Sequence, residues 1–237
     1  MTHPGTDLAS LALPPEGCTV LRQQRAERIH AHTISVRATW WNAALAERGL
    51  PGGPIVGRLE GASSMTISRG ELFSMAGSLD SDRDVLRLLW HVLAWGSGSR
   101  LRLNRRRLDG ISKAPGAAAA ALRDAARLSR TDPEAAYRCL SPGTGTPLPY
   151  LGPAFFTKYL YFAGAGAPDH PCLIIDSRVA HALNTRCGWT TLRSGGNWPP
   201  ETYQRYCTLL ARWAREESDR SGRQVCADQI ERWLFEP

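Results

Sequence analysis

A chain of 237 residues with 43% apolar side chains and eight tryptophans can bury the core of one sizeable domain or two small lobes. It has no run of the 18 or more apolar residues that a membrane-spanning helix needs, and its N-terminus lacks the pattern of a secretory signal. The formal net charge of +7 and pI near 9.4 suit a polyanionic partner, although a solvated arginine-rich surface would give the same figures.

Met1 to Gly17 is rich in Pro, Thr and Gly and is expected to be poorly ordered. The domain reading is therefore a disordered tail at 1–19 and a single helical domain at 20–237. Val20 to Arg48 has helical apolar spacing through Leu21, Ile29, Val36, Trp40, Trp41, Ala44 and Leu45, with a break expected near His32 to Ser35. Trp40-Trp41 invites a base-stacking reading, but tryptophans at helical spacing also build cores. Leu50 to Gly70 is glycine-rich and suits a loop or a small hairpin. A short helix is predicted over Glu71 to Gly77. Asp80-Ser81-Asp82 offers a cap for a helix whose apolar face runs through Leu86, Leu89, Trp90, Leu93 and Ala94, with His91 on or beside the core.

After Gly96-Ser97-Gly98-Ser99 comes RLRLNRRRLDG, in which Arg100, Arg102, Arg105, Arg106 and Arg107 put five guanidinium groups in a short run. Phosphate contact explains such a run, and so does a solvated face paired with Asp109 or Asp124. No G-K-[ST] follows the glycine-serine turn, so it is not a P-loop. Pro115 to Arg130 is an alanine-rich helix able to pack closely. Another helix starts at Thr131-Asp132-Pro133-Glu134 and ends near Leu140.

Pro147 to Thr185 carries the chemistry. Thr146, Pro147, Pro149, Gly152 and Pro153 form turns, and Ala154 to Ala163 is an apolar helix that Gly164, Gly166 and Pro168 end. Cys172 to Ile175 is a short apolar strip, and Asp176-Ser177 is a start signal for a helix over Arg178 to Asn184. Among 29 basic residues only Lys113 and Lys158 are lysines. Arginine cannot lose its proton in a protein, whereas a partly desolvated lysine can become a nucleophile. The plain alternative is an ammonium group snorkelling from a helix edge. Beyond this stretch, Thr190 to Pro200 is a loop with Arg193, Asn197 and Trp198. Helices are expected over Glu201 to Ser218, with Tyr203, Tyr206, Leu210 and Trp213 on one face, and over Val225 to Phe235, where Asp228 and Glu231 face solvent. Trp40, Trp198 and Phe155 are conceivable base-stacking residues. The whole pattern is an all-α domain. The six scattered cysteines form no C-x-x-C pair, which points to reduced thiols in a cytoplasmic protein with no metal site and no iron–sulfur cluster.

The hairpin segment Leu148-Pro149, Leu151-Gly152 and Ala154, the lysine at 158 and the strip Ile174-Ile175-Asp176-Ser177-Arg178-Val179 together resemble the core of the helix-hairpin-helix DNA glycosylases. The likeness is closest to bacterial proteins with an 8-oxoguanine glycosylase fold, in which a phrase like GPAFFTKYLYF recurs. The resemblance implies an all-α fold, two lobes around a cleft, with the hairpin region at about 147–185. It implies a nucleoid-associated monomer that excises a modified base such as 8-oxoguanine from double-stranded DNA, without a membrane partner. Lys158 would attack C1′ and give a Schiff base with lyase activity, and Asp176 would stabilise the oxocarbenium-like transition state. The hairpin amides around Leu151, Gly152, Pro153 and Ala154 would bind backbone phosphate, with a monovalent cation on the carbonyls there and no other cofactor. Arg178 would hold the family's basic phosphate-contact position, whereas the phosphate reading of Arg100, Arg102, Arg105 and Arg106 comes from the run itself and keeps the solvated face as its alternative.

Two departures set the geometric question. The hairpin keeps one glycine, and Lys158 lies about two residues further from it than in the family pattern. On an unrearranged helix two residues rotate a side chain by about 200°, which would turn the lysine away from Asp176. Three functions stay open at this point: repair of oxidised purines, excision of modified phage bases in defence, and a non-catalytic helical DNA-binding module.

Overall fold

The computed structural model describes residues 7–60, 64–141 and 147–236. In chain order the elements are α1 (Pro15–Val20), a π-helical turn at Ala26–His30, β1 (Thr33–Val36), α2 (Ala38–Glu47), β2 (Arg58–Leu59), β3 (Met65–Ser68), α3 (Arg69–Met75) and α4 (Asp82–Ser97). There follow α5 (Asn104–Ile111), α6 (Pro115–Leu128), α7 (Pro133–Leu140), α8 (Pro153–Phe162), α9 (Ser177–Thr185), α10 (Pro200–Ser221) and α11 (Ala227–Phe235). The architecture is helical, as expected, and among the described residues a small antiparallel sheet has the order β1-β3-β2. No described helix is long and apolar enough to cross a membrane.

Helix α4 forms the centre. Ser81 caps it by accepting the Asp84 amide, and Asp82 and Asp84 lie against the positive end of its dipole. Every residue from Leu88 to Trp95 is buried, so the helix needs neighbours on all sides. Helices α3, α6 and α8 and strand β1 supply them. The small side chains of α6 let it approach both α4 and α7, and α10 joins α7 to α11. His91 is core, as expected. Its Nε2 accepts the Val56 amide at 2.9 Å and its Nδ1 lies 2.7 Å from the Arg87 carbonyl, and burial pushes its pKa down to about 4.

The structure corrects three expectations. The break near His32 to Ser35 is strand β1, paired with β3 in the register Ile34 to Ile67. Its β-branched residues gain a ladder that helical spacing could not announce. Residues 7–19, expected within the tail, include α1, and the Leu11 carbonyl accepts bonds from Arg212 and from Trp213 Nε1 at 2.6 and 2.8 Å. Residues 1–6 and Thr146 lie outside the described residues. Asp228 and Glu231, expected in solvent, are 4% and 1% exposed. Arg25 pairs with Asp228 at 2.7 Å and Arg69 with Glu231 at 2.9 Å, and these partners make burial of the carboxylates tolerable.

Helix α5 braces the hairpin. Arg107, buried, donates from Nε to the Tyr150 carbonyl at 3.0 Å and lies over the Phe155 ring at 3.9 Å. It is a structural member of the arginine run. At Gly110 a Cβ would stand 2.1 Å from Pro149 Cγ, so only glycine lets α5 come this close.

Candidate active site

Helix α8 begins at Pro153, whose missing N–H and fixed φ suit the first helical position. Lys158 is therefore one and a half turns inside, among Phe156, Thr157, Tyr159 and Leu160, and is itself buried. Its Nζ donates to the Ala154 carbonyl at 2.7 Å and lies 3.7 Å from Asp176 Oδ2. The rotation that the longer spacing suggested does not occur, and the amine faces the carboxylate. Burial pushes the Lys158 pKa below the usual lysine value, and Arg69 acts in the same direction, while Asp176 and Glu231 oppose it.

Asp176 is held from two sides. It caps α9, with Oδ1 accepting the amides of Arg178 and Val179 at 3.0 and 3.2 Å, which leaves Oδ2 turned to Lys158. The strip before it is stapled in place. Tyr203 Oη donates to the Leu173 carbonyl at 2.8 Å, Tyr206 Oη donates to Ile174 at 2.6 Å, and the Ile175 amide donates to Thr157 Oγ1 at 3.3 Å. The tyrosine face of α10 thus fixes where the aspartate stands.

Lys158 and Asp176 share a cavity of about 110 Å³ whose walls include His32, Arg69, Trp95, Glu231 and Phe235. Arg69 and Glu231 form a buried ion pair, and Arg69 Nη1 also donates to Tyr161 Oη at 3.2 Å. Tyr161 Oη donates to Asp228 Oδ2 at 2.9 Å, so a chain of charged and hydroxyl groups runs from the cavity wall to Arg25. Burial raises the Glu231 pKa above the ordinary carboxylate value against the pull of Arg69. None of His32, Arg69, Trp95 or Glu231 was singled out as a site residue from the sequence. Trp95 was not among the residues assigned to the apolar face of its helix and Glu231 read as surface, and no local pattern joins them.

The remaining candidates separate into two groups. Leu151 and Pro153 are buried, while Gly152 and Ala154 are half-buried at the N-terminus of α8. Pro153 has no N–H, so the first-turn amide left to a phosphate is that of Ala154, beside Gly152 as the N-cap. Gly152 has an ordinary φ of −80° and nothing near its would-be Cβ. Arg100, Arg102, Arg105 and Arg106 are exposed, and among the described residues none of them forms an ion pair. Asp109 pairs with Arg48 and Asp124 with Arg127. Arg106 lies over the exposed Tyr150 ring and Arg105 over Trp40, which puts the arginine run beside the hairpin. Arg178 is exposed on the first turn of α9, with its guanidinium over Phe235 at 5.1 Å. Of the stacking candidates, Trp198 is buried with its Nε1 bonded to the Arg193 carbonyl, and Phe155 is enclosed between Arg107 and Lys158.

No curated protein and no solved structure matches the chain. Residues 27–235 match the family model described as "Putative 8-oxoguanine DNA glycosylase OGG-like protein". That span includes every element from β1 to α11 and the whole Lys158–Asp176 cavity, and the chain belongs to this OGG-like family.

Proposed function

We propose that the chain is a DNA glycosylase with lyase activity, in which Lys158 is the nucleophile and Asp176 the electrostatic partner. The observation that carries this reading is the convergence of a buried amine and a capped carboxylate, 3.7 Å apart, on one cavity. A plain DNA-binding module has no use for a desolvated amine at that place, because burying it costs free energy and adds nothing to phosphate contact.

The reaction begins with a nucleotide swung out of the stack, its base entering the cavity. As the N-glycosidic bond lengthens, positive charge develops on the sugar ring and Asp176 Oδ2 stabilises it. The free amine of Lys158 bonds to C1′, and the base departs with the bonding electron pair and takes up a proton. Loss of a proton from nitrogen and opening of the sugar ring leave a Schiff base. Removal of a 2′ proton then expels the 3′ phosphate, and water hydrolyses the imine to restore the lysine. The exposed arginines of 100–106, Arg178 and the N-terminus of α8 hold the flanking phosphates, by charge in the first two cases and by amide and dipole in the third. A monovalent cation on the hairpin carbonyls would supply one more fixed charge near a phosphate. Repair of an oxidised base and removal of a modified phage base use the same steps.

Borohydride trapping on a duplex with one lesion tests the reading. A covalent adduct that vanishes in Lys158→Gln supports it. Base release that persists unchanged in both Lys158→Gln and Asp176→Asn would refute it.

A further inference from the structure

Two exposed residues beside the arginine run hold a left-handed backbone. Leu103 has a φ of 63° and Tyr150 a φ of 62°, a conformation that crowds any Cβ and that glycine adopts freely. Leu103 is 38% exposed and Tyr150 55%. The first immediately precedes α5, and the second lies in the hairpin just before α8.

One side chain braces both turns. Arg107 is 4% exposed. Its Nε donates to the Tyr150 carbonyl at 3.0 Å, its Nη1 donates to Asn104 Oδ1 at 2.6 Å and lies 3.5 Å from the Arg102 carbonyl, one residue before Leu103. Its own amide donates to the Leu103 carbonyl at 3.0 Å. Asn104 is buried and is fixed in turn by its Nδ2 bond to Ser97 Oγ at 2.9 Å. Strained backbone persists only where its surroundings over-determine it, and such places cluster at functional positions. The partners of Arg107 are all neutral, and burial pushes its pKa down to about 10. The guanidinium therefore stays charged near pH 7 and adds a buried cation beneath this face.

The surface above Arg107 is mixed. Arg106 lies over the Tyr150 ring at 5.9 Å and Arg105 over Trp40 at 5.8 Å. Arginine alone serves a phosphate backbone. An exposed ring and an exposed leucine among those arginines call for an apolar partner as well. Bases in a duplex turn their faces to one another, so a ring outside it meets sugars and phosphates. Every base of an unpaired strand offers a π-face for stacking. Neither Leu103 nor Tyr150 lines the Lys158–Asp176 cavity, so a base on Tyr150 is a different base from one inside that cavity.

We propose that this face binds single-stranded DNA, with an unpaired base stacked on Tyr150 beside Leu103 and with Arg105 and Arg106 on the flanking phosphates. This rests on the reading of the arginine run as a DNA contact.

The test is equilibrium binding of the full chain to a fluorescent oligothymidylate and to a blunt, fully paired duplex of the same length, with a thermal melt beside it. Tyr150→Gly removes the ring and relieves the left-handed backbone, so the melting temperature should hold or rise. In the proposal this variant binds oligothymidylate roughly tenfold more weakly, the scale of losing one stacked base. It binds the duplex within about twofold of wild type, and its salt slope is unchanged because no charge is lost. Tyr150→Phe keeps the ring and binds as wild type. Unchanged oligothymidylate affinity in Tyr150→Gly overturns the proposal. Equal weakening on both DNAs also overturns it, by assigning the ring to the sugar–phosphate surface. A loss in Tyr150→Phe as large as in Tyr150→Gly does the same, by assigning the contact to the hydroxyl. A wild-type chain that binds the duplex and not the oligothymidylate sinks the proposal and leaves the arginine run as a duplex contact. One that binds neither removes the DNA reading of the run and the proposal with it.

Discussion

Lys158 Nζ and Asp176 Oδ2 stand 3.7 Å apart in one cavity, although one residue lies within α8 and the other caps α9. The gap is longer than a hydrogen bond, and the amine's close partner is the Ala154 carbonyl at 2.7 Å. The carboxylate therefore acts on the amine through charge. Asp176→Asn should reduce base release by roughly 10²–10³-fold, the scale of losing one preorganised electrostatic contact. DNA affinity should hold, because Asp176 contacts α9 and not the arginine run. Excision kinetics and a binding titration on the same duplex check both halves.

The rate of Schiff-base formation on abasic DNA should rise with pH and level off below 10.5, the ordinary lysine value, because burial favours the neutral amine that reacts. Asp176 opposes this by favouring the ammonium form, so Asp176→Asn should move the midpoint to lower pH. Arg69→Met removes a like charge and should move it to higher pH. A pH profile of borohydride-trapped adduct for the three proteins gives the signs.

Gly96 on α4 lies against the lysine stem. A Cβ there would stand 3.1 Å from Lys158 Cδ and 3.3 Å from Phe155 Cε1. The lysine stem can yield, but only by moving its amine. Gly96→Ala should therefore keep the melting temperature within a few degrees of wild type, slow adduct formation by about tenfold or more, and leave DNA affinity intact. Trapping kinetics beside a thermal melt separate the two effects.

The Arg69–Glu231 pair, 2% and 1% exposed, should show the asymmetry of buried charges. Removing Arg69 alone leaves Glu231 without its counter-ion, and Arg69→Met should cost about 3–5 kcal/mol in urea unfolding. The double variant Arg69→Met, Glu231→Leu should recover most of that loss, since a matched apolar pair replaces the matched ions.

Charge removal at Arg100, Arg102, Arg105 and Arg106 should weaken binding to any duplex alike. Each lost phosphate contact should lower the slope of log K against log salt by about 0.9. Binding titrations at several salt concentrations read that slope, and an unchanged slope would assign these four residues to a solvated surface.

The helical character and the two side chains that meet in the cavity, Lys158 and Asp176, were legible in the chain itself. Ser81 and Asp176 are caps in sequence and in structure, and Pro153 starts α8 where proline belongs. Lys158 stood out as one of two lysines in an arginine-rich chain, and the strip before Asp176 read as apolar. These are local signals, set by backbone propensity and by capping within a few residues. The tertiary structure alone decided the rest. It showed the lysine turned to the aspartate, which a two-residue shift along a helix had suggested against. It turned Thr33–Val36 into a strand because Met65–Ser68 was there to pair with it. It buried Glu231 against Arg69, 162 positions away. Apolar periodicity treats every carboxylate as solvent-seeking, whereas a carboxylate goes inside when a distant cation can meet it there. The walls of the cavity come from β1, α3, α4, α8 and α11 and the residues beside them, and only folding brings those segments to one place.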